Sequence, residues 1–351
     1  MMRVVIVGGG VMGCATALEL AKRGIHDLVL LERAVPGAEA SSAAAGMLAA
    51  QVESKDAAER ARYVKARAAY APWAEELRER TGIDIAYRKS GALELATSDT
   101  HAEQFRQRVA ENVSAGLSAS YVDANEARSL EPCLRADLVG AAWFPDEAQI
   151  DPPQLLRALV AAVARAGVSV KSGTTVSSLI HERDACRGVV LDGGEELRAD
   201  AVLLAAGSWS SLVPGVPKSV PAVRPVRGQL VQLEERPPRL ARIVFGEGGY
   251  VVPRGDGRVI CGSTMEDVGH RREVTAAGVH GILGNAIRIA PSLATAELSR
   301  VWCNFRPHAP GGPLVGASPL AGLFLATGHH RNGILQAKVT AEAAAESVVN
   351  S

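Results

Sequence analysis

No stretch of about 18 uninterrupted apolar residues occurs in the chain, so nothing in it reads as a membrane-spanning helix. A surplus of either charge is missing too: 38 Lys and Arg offset 38 Asp and Glu, and no long run of one sign appears. Nucleic acid is therefore not an expected partner, because proteins that bind it concentrate Lys and Arg on one surface. Five cysteines, Cys14, Cys133, Cys186, Cys261 and Cys303, stand apart with no C-x-x-C pair. That pattern speaks against a disulfide framework, a structural zinc or any other metal site, and fits a reducing, cytoplasmic compartment. The first predicted strand begins at Arg3, which leaves no room for the charged and apolar segments of a cleavable signal. No internal repeat or low-complexity linker interrupts the 351 residues, a length that predicts about two domains.

What is present starts at the N-terminus. VVIVGGGVMGCATALELAKRG followed by LVLLER reads as a buried strand from Arg3 to Val7, a glycine turn, a helix through about Arg23 and a second strand ending at Glu32. Gly8 permits the tight turn, Gly10 keeps a Cβ away from a pyrophosphate, and Gly13 lets helix and strand pack closely. The helix then aims its free N–H groups at negative charge. Glu32 follows Gly13 by about 20 residues, the spacing at which a carboxylate meets a ribose hydroxyl. An acid there disfavours a 2′-phosphate, so FAD or NAD is expected rather than NADP.

Beyond Glu32 the segment AVPGAEASSAAAGMLAAQ is rich in small residues, and two readings compete for it: a helix with an exposed alanine face, or backbone that a large ligand approaches near Ser41, Ser42 and Gly46. Helical spacing runs from Asp56 to Arg80 and stops at Thr81-Gly82. Short strands such as GALELAT fill Ile85 to Pro145, with helical pieces near His101–Ala115 and Ala124–Leu130. Pro152 and Pro153 then open a helix that leads to a strand VSVKSGTTVSSLI, a hairpin at Asp192-Gly193-Gly194 and the apolar strand ADAVLLAAG. A second strand-rich block between Pro221 and Pro310, with a helix over Thr275–Ile289 and a turn at Asp256-Gly257, predicts antiparallel sheet packed on one face. A strand, a glycine-bounded turn and a closing helix from about Gly333 end the chain. That helix would direct about half a positive charge at whatever lies before it.

Four separated stretches carry a resemblance: GGGVMGCATALELAKRG with LLER, ASSAAAGMLAAQ, AAGSWS, and RPHAPGGPLVG followed by ATGHHRNGIL. Together they resemble the FAD-dependent amine oxidases of the D-amino acid oxidase superfamily, and within it the bacterial glycine oxidase branch of thiamine biosynthesis. The resemblance implies an α/β chain, α+β overall, with a discontinuous Rossmann-like FAD-binding domain and an antiparallel-sheet substrate domain. The FAD-binding parts fall at residues 1–84, 146–220 and 310–351, and the substrate parts at 85–145 and 221–309.

Position by position, the resemblance assigns Gly8, Gly10, Val11, Met12, Gly13, Glu32 and Arg33 to the ADP half of a non-covalent FAD. Ser41, Ser42, Gly46 and Met47 would line the route to the isoalloxazine, Val176 would meet the adenine side through its backbone, and Gly207 and Trp209 would close over the cofactor. Gly328, Arg331, Asn332, Gly333, Ile334 and Leu335 would sit at the flavin ring. Arg306 in NFRPHAP matches the arginine that grips a substrate carboxylate, a task suited to a planar guanidinium that forms two parallel charge-assisted bonds. Tyr250 matches a tyrosine that assists there, Arg331 also lines the site, and Met47 and Met265 match its apolar walls.

The implied reaction is oxidative deamination of glycine, sarcosine or a small D-amino acid: a hydride passes from Cα to flavin N5, and O2 becomes hydrogen peroxide. His329 and His330 are given no acid or base role, and a covalent flavin at Cys303 is disfavoured. The family also allows a homo-oligomer. Two other activities remain open from the sequence, namely a D-amino acid dehydrogenase that feeds a quinone and a flavin binder without catalysis.

Overall fold

The parallel pairing of the strand Arg3–Val7 with both Asp27–Glu32 and Ala201–Leu204 sets the centre of the molecule. The protein is described by a computed structural model covering residues 2–351. Its first sheet has six strands in the order Leu314–Ala317, Leu323–Thr327, Ala201–Leu204, Arg3–Val7, Asp27–Glu32 and Ser169–Ser172. All neighbours pair parallel except the edge pair Leu314–Ala317 with Leu323–Thr327. Strands buried on both faces need continuous apolar runs, which VVIV and LVLL supply. Val4 and Ile6 face a helical layer built from Val11–Lys22, Pro152–Arg165 and Gly333–Val349. Val5 and Val7 face a three-stranded antiparallel sheet over Val176–Glu182, Ala185–Leu191 and Glu196–Arg198.

Helix and first strand approach so closely at Gly13 that a Cβ there would lie 1.9 Å from the Gly8 carbonyl oxygen. Only glycine fits, which is the packing role the sequence predicts for it.

A second sheet of eight strands runs in the order Glu297–His308, Arg224–Glu234, Arg258–Gly262, Gly249–Pro253, Ile243–Gly246, Ala92–Ala96, Gly140–Phe144 and Ser120–Asp123. It corrects the expectation of a purely antiparallel sheet at one join. Ile243–Gly246 pairs parallel with Ala92–Ala96 because these strands belong to separate excursions of the chain, and no hairpin dictates their relative direction. One face packs under the helix Ala276–Ile289 through Val231, Val251 and Cys261. The opposite face turns Leu230, Tyr250, Val252 and Ile260 toward Ala45 and Ala49, and so toward the nucleotide sheet.

Two further expectations are revised. The helical stretch from Asp56 breaks at Ala69 into Ala57–Ala68 and Tyr70–Thr81. VSVKSGTTVSSLI is two strands in different sheets, Ser169–Ser172 and Val176–Glu182, because Gly173 and Thr174 donate their N–H groups to the Ala34 and Glu32 carbonyls and bend the chain across the end of the second strand. The small-residue segment is not one helix: it holds a four-residue helix, Ala40–Ala43, and then a strand, Met47–Leu48, and it borders the cleft near Ser41 and Gly46.

Candidate active site

A single cleft runs from the carboxyl ends of the parallel strands to the inner face of the eight-stranded sheet. Glu32 lies at its outer end, 8 % exposed. Its carboxylate accepts from the Gly9 N–H at 2.8 Å and from the Ala34 N–H at 2.9 Å, which fixes its rotamer against the glycine turn. Beside it the Arg33 guanidinium lies 3.8 Å from the Trp209 ring centroid and bonds Glu39 at 2.6 Å, while Glu39 also holds Arg272 at 2.6 Å. Thr174, Thr175 and Val176 complete this end.

Farther along, Gly8, Gly10, Val11 and Met12 present the start of the helix Val11–Lys22, where the Val11 N–H donates to Ser41 Oγ at 3.0 Å. Ser41, Gly46, Met47 and Gly207 line the middle. Arg254, whose charge burial disfavours so that its pKa falls to about 10, donates to the Ala45 and Ile150 carbonyls and braces that stretch of backbone from behind. Asn332, Gly333 and Ile334 bring in the N-terminus of the closing helix, which carries no side-chain cap. Tyr63 Oη accepts from the Asn332 amide at 3.0 Å, and the Tyr70 hydroxyl donates to the Ile334 carbonyl.

At the inner end stand Arg306, Tyr250 and Arg331. The Arg306 guanidinium donates to the Thr264 carbonyl at 3.1 Å and to Ser263 Oγ at 2.8 Å, both neutral. Loss of solvent lowers its pKa, with the nearby Tyr250 acting the other way. Burial raises the pKa of the Tyr250 phenol, opposed by the Arg306 charge and by Ser263, so the group is a neutral hydroxyl at ordinary pH. Two glycines in adjoining strands make room for this pair. A Cβ at Gly228 would fall 2.3 Å from the Arg306 guanidinium, and one at Gly262 would fall 2.6 Å from the Tyr250 hydroxyl. Isolated glycines inside apolar strands are the sequence signal for such an approach.

Five predicted residues lie off the cleft lining. Gly13 packs helix on strand. Ser42 sits beside Gly37, and Gly328 packs behind Ala309. Leu335, 1 % exposed, points into the helical core because it follows Ile334 by one position around the helix. Met265 is 57 % exposed and walls nothing. Thr264 Oγ1 accepts from the Gln229 N–H, and Glu266 is locked to Arg227 at 2.8 Å, so the loop is pinned on both sides of Met265 with its side chain outward. Ser263, two residues earlier, is the member of GSTMED that faces the site.

Glu53, Ser263, Thr174 and Thr175 also reach the cleft, and the sequence reading missed them; His330, given no acid or base role from the sequence, reaches it too. His330 is half-buried and edge-on to His308 at 5.0 Å; burial and the neighbouring cations hold its pKa down to about 4. His329 borders the cleft as well but is almost wholly buried, its Nε2 paired with Thr340 Oγ1 at 2.9 Å, and burial pulls its pKa to about 3. Both rings are therefore neutral near pH 7. None of the five cysteines lines the cleft.

A parallel sheet with a glycine turn and a buried acid at the end of its second strand, opening onto a second sheet that carries a partly buried guanidinium, is the arrangement of a dinucleotide-dependent oxidoreductase. Among the solved structures the chain is similar to the glycine oxidase from Geobacillus kaustophilus, with a TM-score of 0.94, 35 % identity and cover of 100 % of this chain and 96 % of that one. It is also similar to the iminodiacetate oxidase from Chelativorans sp. BNC1, with a TM-score of 0.91, 26 % identity and cover of 99 % and 96 %. The chain belongs to the FAD dependent oxidoreductase family, whose model matches residues 3–347.

Curated relatives include the glycine oxidase of Geobacillus kaustophilus, 37 % identical over 96 % of this chain and 90 % of that protein. The bifunctional protein ThiO/ThiG of Trichormus variabilis is 38 % identical over 99 % of this chain. The chain spans about half the length of that bifunctional relative, 52 %. FAD fits the cleft on its own chemistry: Glu32 suits the ribose, the Val11 helix start suits the pyrophosphate, and Gly10 leaves the approach open, since even a Cβ there would press Ser41 Oγ at 3.2 Å. No helix among the described residues is long and apolar enough to cross a membrane.

Proposed function

We propose that this protein catalyses the FAD-dependent oxidative deamination of glycine or another small amine or D-amino acid, with O2 reduced to hydrogen peroxide. The observation that carries this reading is Arg306, a partly buried guanidinium with only neutral partners, set against a neutral Tyr250 hydroxyl at the end of a dinucleotide cleft. A carboxylate is the group such a guanidinium lacks, and two parallel N–H···O bonds would fix the amino acid in one orientation. Tyr250 would donate to the same carboxylate. Met47 would press on the substrate from the flavin side, so that bulky side chains are disfavoured.

Bound in the cleft, FAD would supply the acceptor for the hydride that leaves Cα and would pass the electrons to O2. Glu32 would hold the ribose, the Val11 N–H and Ser41 the pyrophosphate, Val176 and Arg33 the adenosine end, and Asn332 to Ile334 the ring. The positive end of the helix from Gly333 would favour negative charge on that ring. No residue is needed to remove the Cα proton, because the hydrogen leaves with its electron pair. Orientation over the ring is the protein's contribution. We further assign the three-part FAD domain and two-part substrate domain at the boundaries given above, a non-covalent flavin, cytoplasmic location and, from the likeness to ThiO/ThiG, a role in thiamine biosynthesis.

Anaerobic mixing with glycine, sarcosine and D-alanine tests the reading. Bleaching of the flavin band by at least one of them, with peroxide formed once air is admitted, is the expected result. No bleaching by any, or turnover solely with an artificial acceptor, would reject it. Gly228→Ala is expected to raise KM for glycine about tenfold, because the new methyl group displaces the Arg306 fork while the flavin stays bound. Steady-state kinetics check this, and a KM within twofold of the parent would dismiss the close approach as a constraint.

A further inference from the structure

The inner cleft holds two guanidinium groups in different electrical states. Arg306 meets only the Thr264 carbonyl and the Ser263 hydroxyl. Arg331 is paired instead: its Nη2 lies 2.6 Å from Glu53 Oε1, with side-chain exposures of 35 % and 12 %. Both arginines and Glu53 line the same cleft beside Tyr250, and each acts electrostatically on that phenol. His330 beside them is neutral, and Lys55 is exposed to solvent. Glu94, off the cleft lining, is bonded to Arg108, and burial together with the Glu53 charge raises its pKa to about 7 against the pull of Arg108. Once a substrate carboxylate has engaged Arg306, the remaining charge that a ligand meets is a closed Arg331–Glu53 pair.

We propose that Glu53 is a specificity-determining residue that restricts this site to amines bearing one carboxylate. The inference rests on the amino acid reading of the site and adds the class of substrate that is refused. A second anionic group on the ligand would find Arg331 already neutralised and would approach the Glu53 carboxylate at close range, where like charges repel strongly. Removing the charge of Glu53 frees Arg331 to receive that group. The cleft then carries two available cations and selects dicarboxylates. Partial exposure of Arg331 damps the effect through solvent screening, which leaves about a tenfold change in relative affinity.

The test uses the FAD-loaded protein and two inert ligands of nearly equal shape, malonate and its monoamide malonamate, titrated through the visible flavin absorbance at about pH 8, where carboxylic acids are ionised. In the parent protein malonamate is expected to bind about tenfold more tightly than malonate. In Glu53→Gln the ratio of the two dissociation constants is expected to move about tenfold or more toward malonate, and iminodiacetate should gain on glycine as a reductant of the flavin. A parent that binds malonate as tightly as malonamate overturns the proposal without any variant. So does a Glu53→Gln protein that keeps its flavin spectrum and an unchanged ratio. Flavin reduction by glycine in the same parent preparation separates the two levels: its absence rejects the function proposed above, whereas its presence with an unmoved ratio rejects Glu53 alone.

Discussion

Replacing Arg306 by Ala is expected to lower kcat/KM for glycine by about 100–1000-fold while the protein stays yellow and folded. Truncating one side of a buried charge-assisted pair costs about 2–5 kcal/mol, and the middle of that range spans those factors. The loss should fall mainly on KM, since the carboxylate lies away from the bond that breaks and the guanidinium acts by holding it. Stability should change little. The folded protein already disfavours the Arg306 charge through lost solvent, and its partners, the Thr264 carbonyl and Ser263 hydroxyl, are neutral groups that water can satisfy. Arg306→Lys should recover part of the loss, because it keeps the charge but not the planar fork. Steady-state kinetics with a flavin spectrum and a thermal melt check all three points. Unchanged reduction of the flavin by glycine in Arg306→Ala would remove this residue from the substrate site.

Glu147→Ala is expected to destabilise the protein by about 3–5 kcal/mol, the range for breaking a buried ion pair from one side. Glu147 is fully buried. Its carboxylate accepts from the backbone N–H groups of Ala50, Gln51 and Val52 at 2.8, 2.5 and 3.3 Å, and from Arg67 Nη1 at 2.9 Å. Truncation strands the Arg67 cation, itself 7 % exposed, with the Gln51 amide oxygen as its remaining acceptor, and it leaves donors unpaired in the interior. Thermal melts should show a fall on the order of 10 °C. Glu147→Gln keeps an acceptor for the backbone and should lie between the two. The loop so held leads directly to Glu53, so glycine turnover should fall along with stability in the Ala variant. A melt shifted by less than about 1 °C would show that the network is dispensable.

Much of the cofactor end was legible beforehand because its chemistry is local. Gly8, Gly10, Gly13 and Glu32 belong to one strand, helix and strand, and their spacing along the chain determines their spacing in space. Arg306 and Tyr250 were found by likeness to a family, and their closeness to each other depends on strands far apart in the chain. Met265 turns outward because the pinning of its loop, which residue type does not encode, sets its direction. Nothing in QVESKD distinguishes Glu53, because its partner Arg331 lies 278 residues away in the chain.

Alone, then, the order of residues determined the nucleotide unit, its preference for a cofactor without a 2′-phosphate, and the presence of two interleaved sheets. Tertiary structure alone decided that Arg331 is neutralised across 278 residues by Glu53, that Gly228 and Gly262 make room for Arg306 and Tyr250, and that Ser263 rather than Met265 faces inward. Periodicity and turn chemistry act over a few residues, whereas these contacts depend on how the two sheets dock, and docking is the sum of side-chain packing over the whole interface.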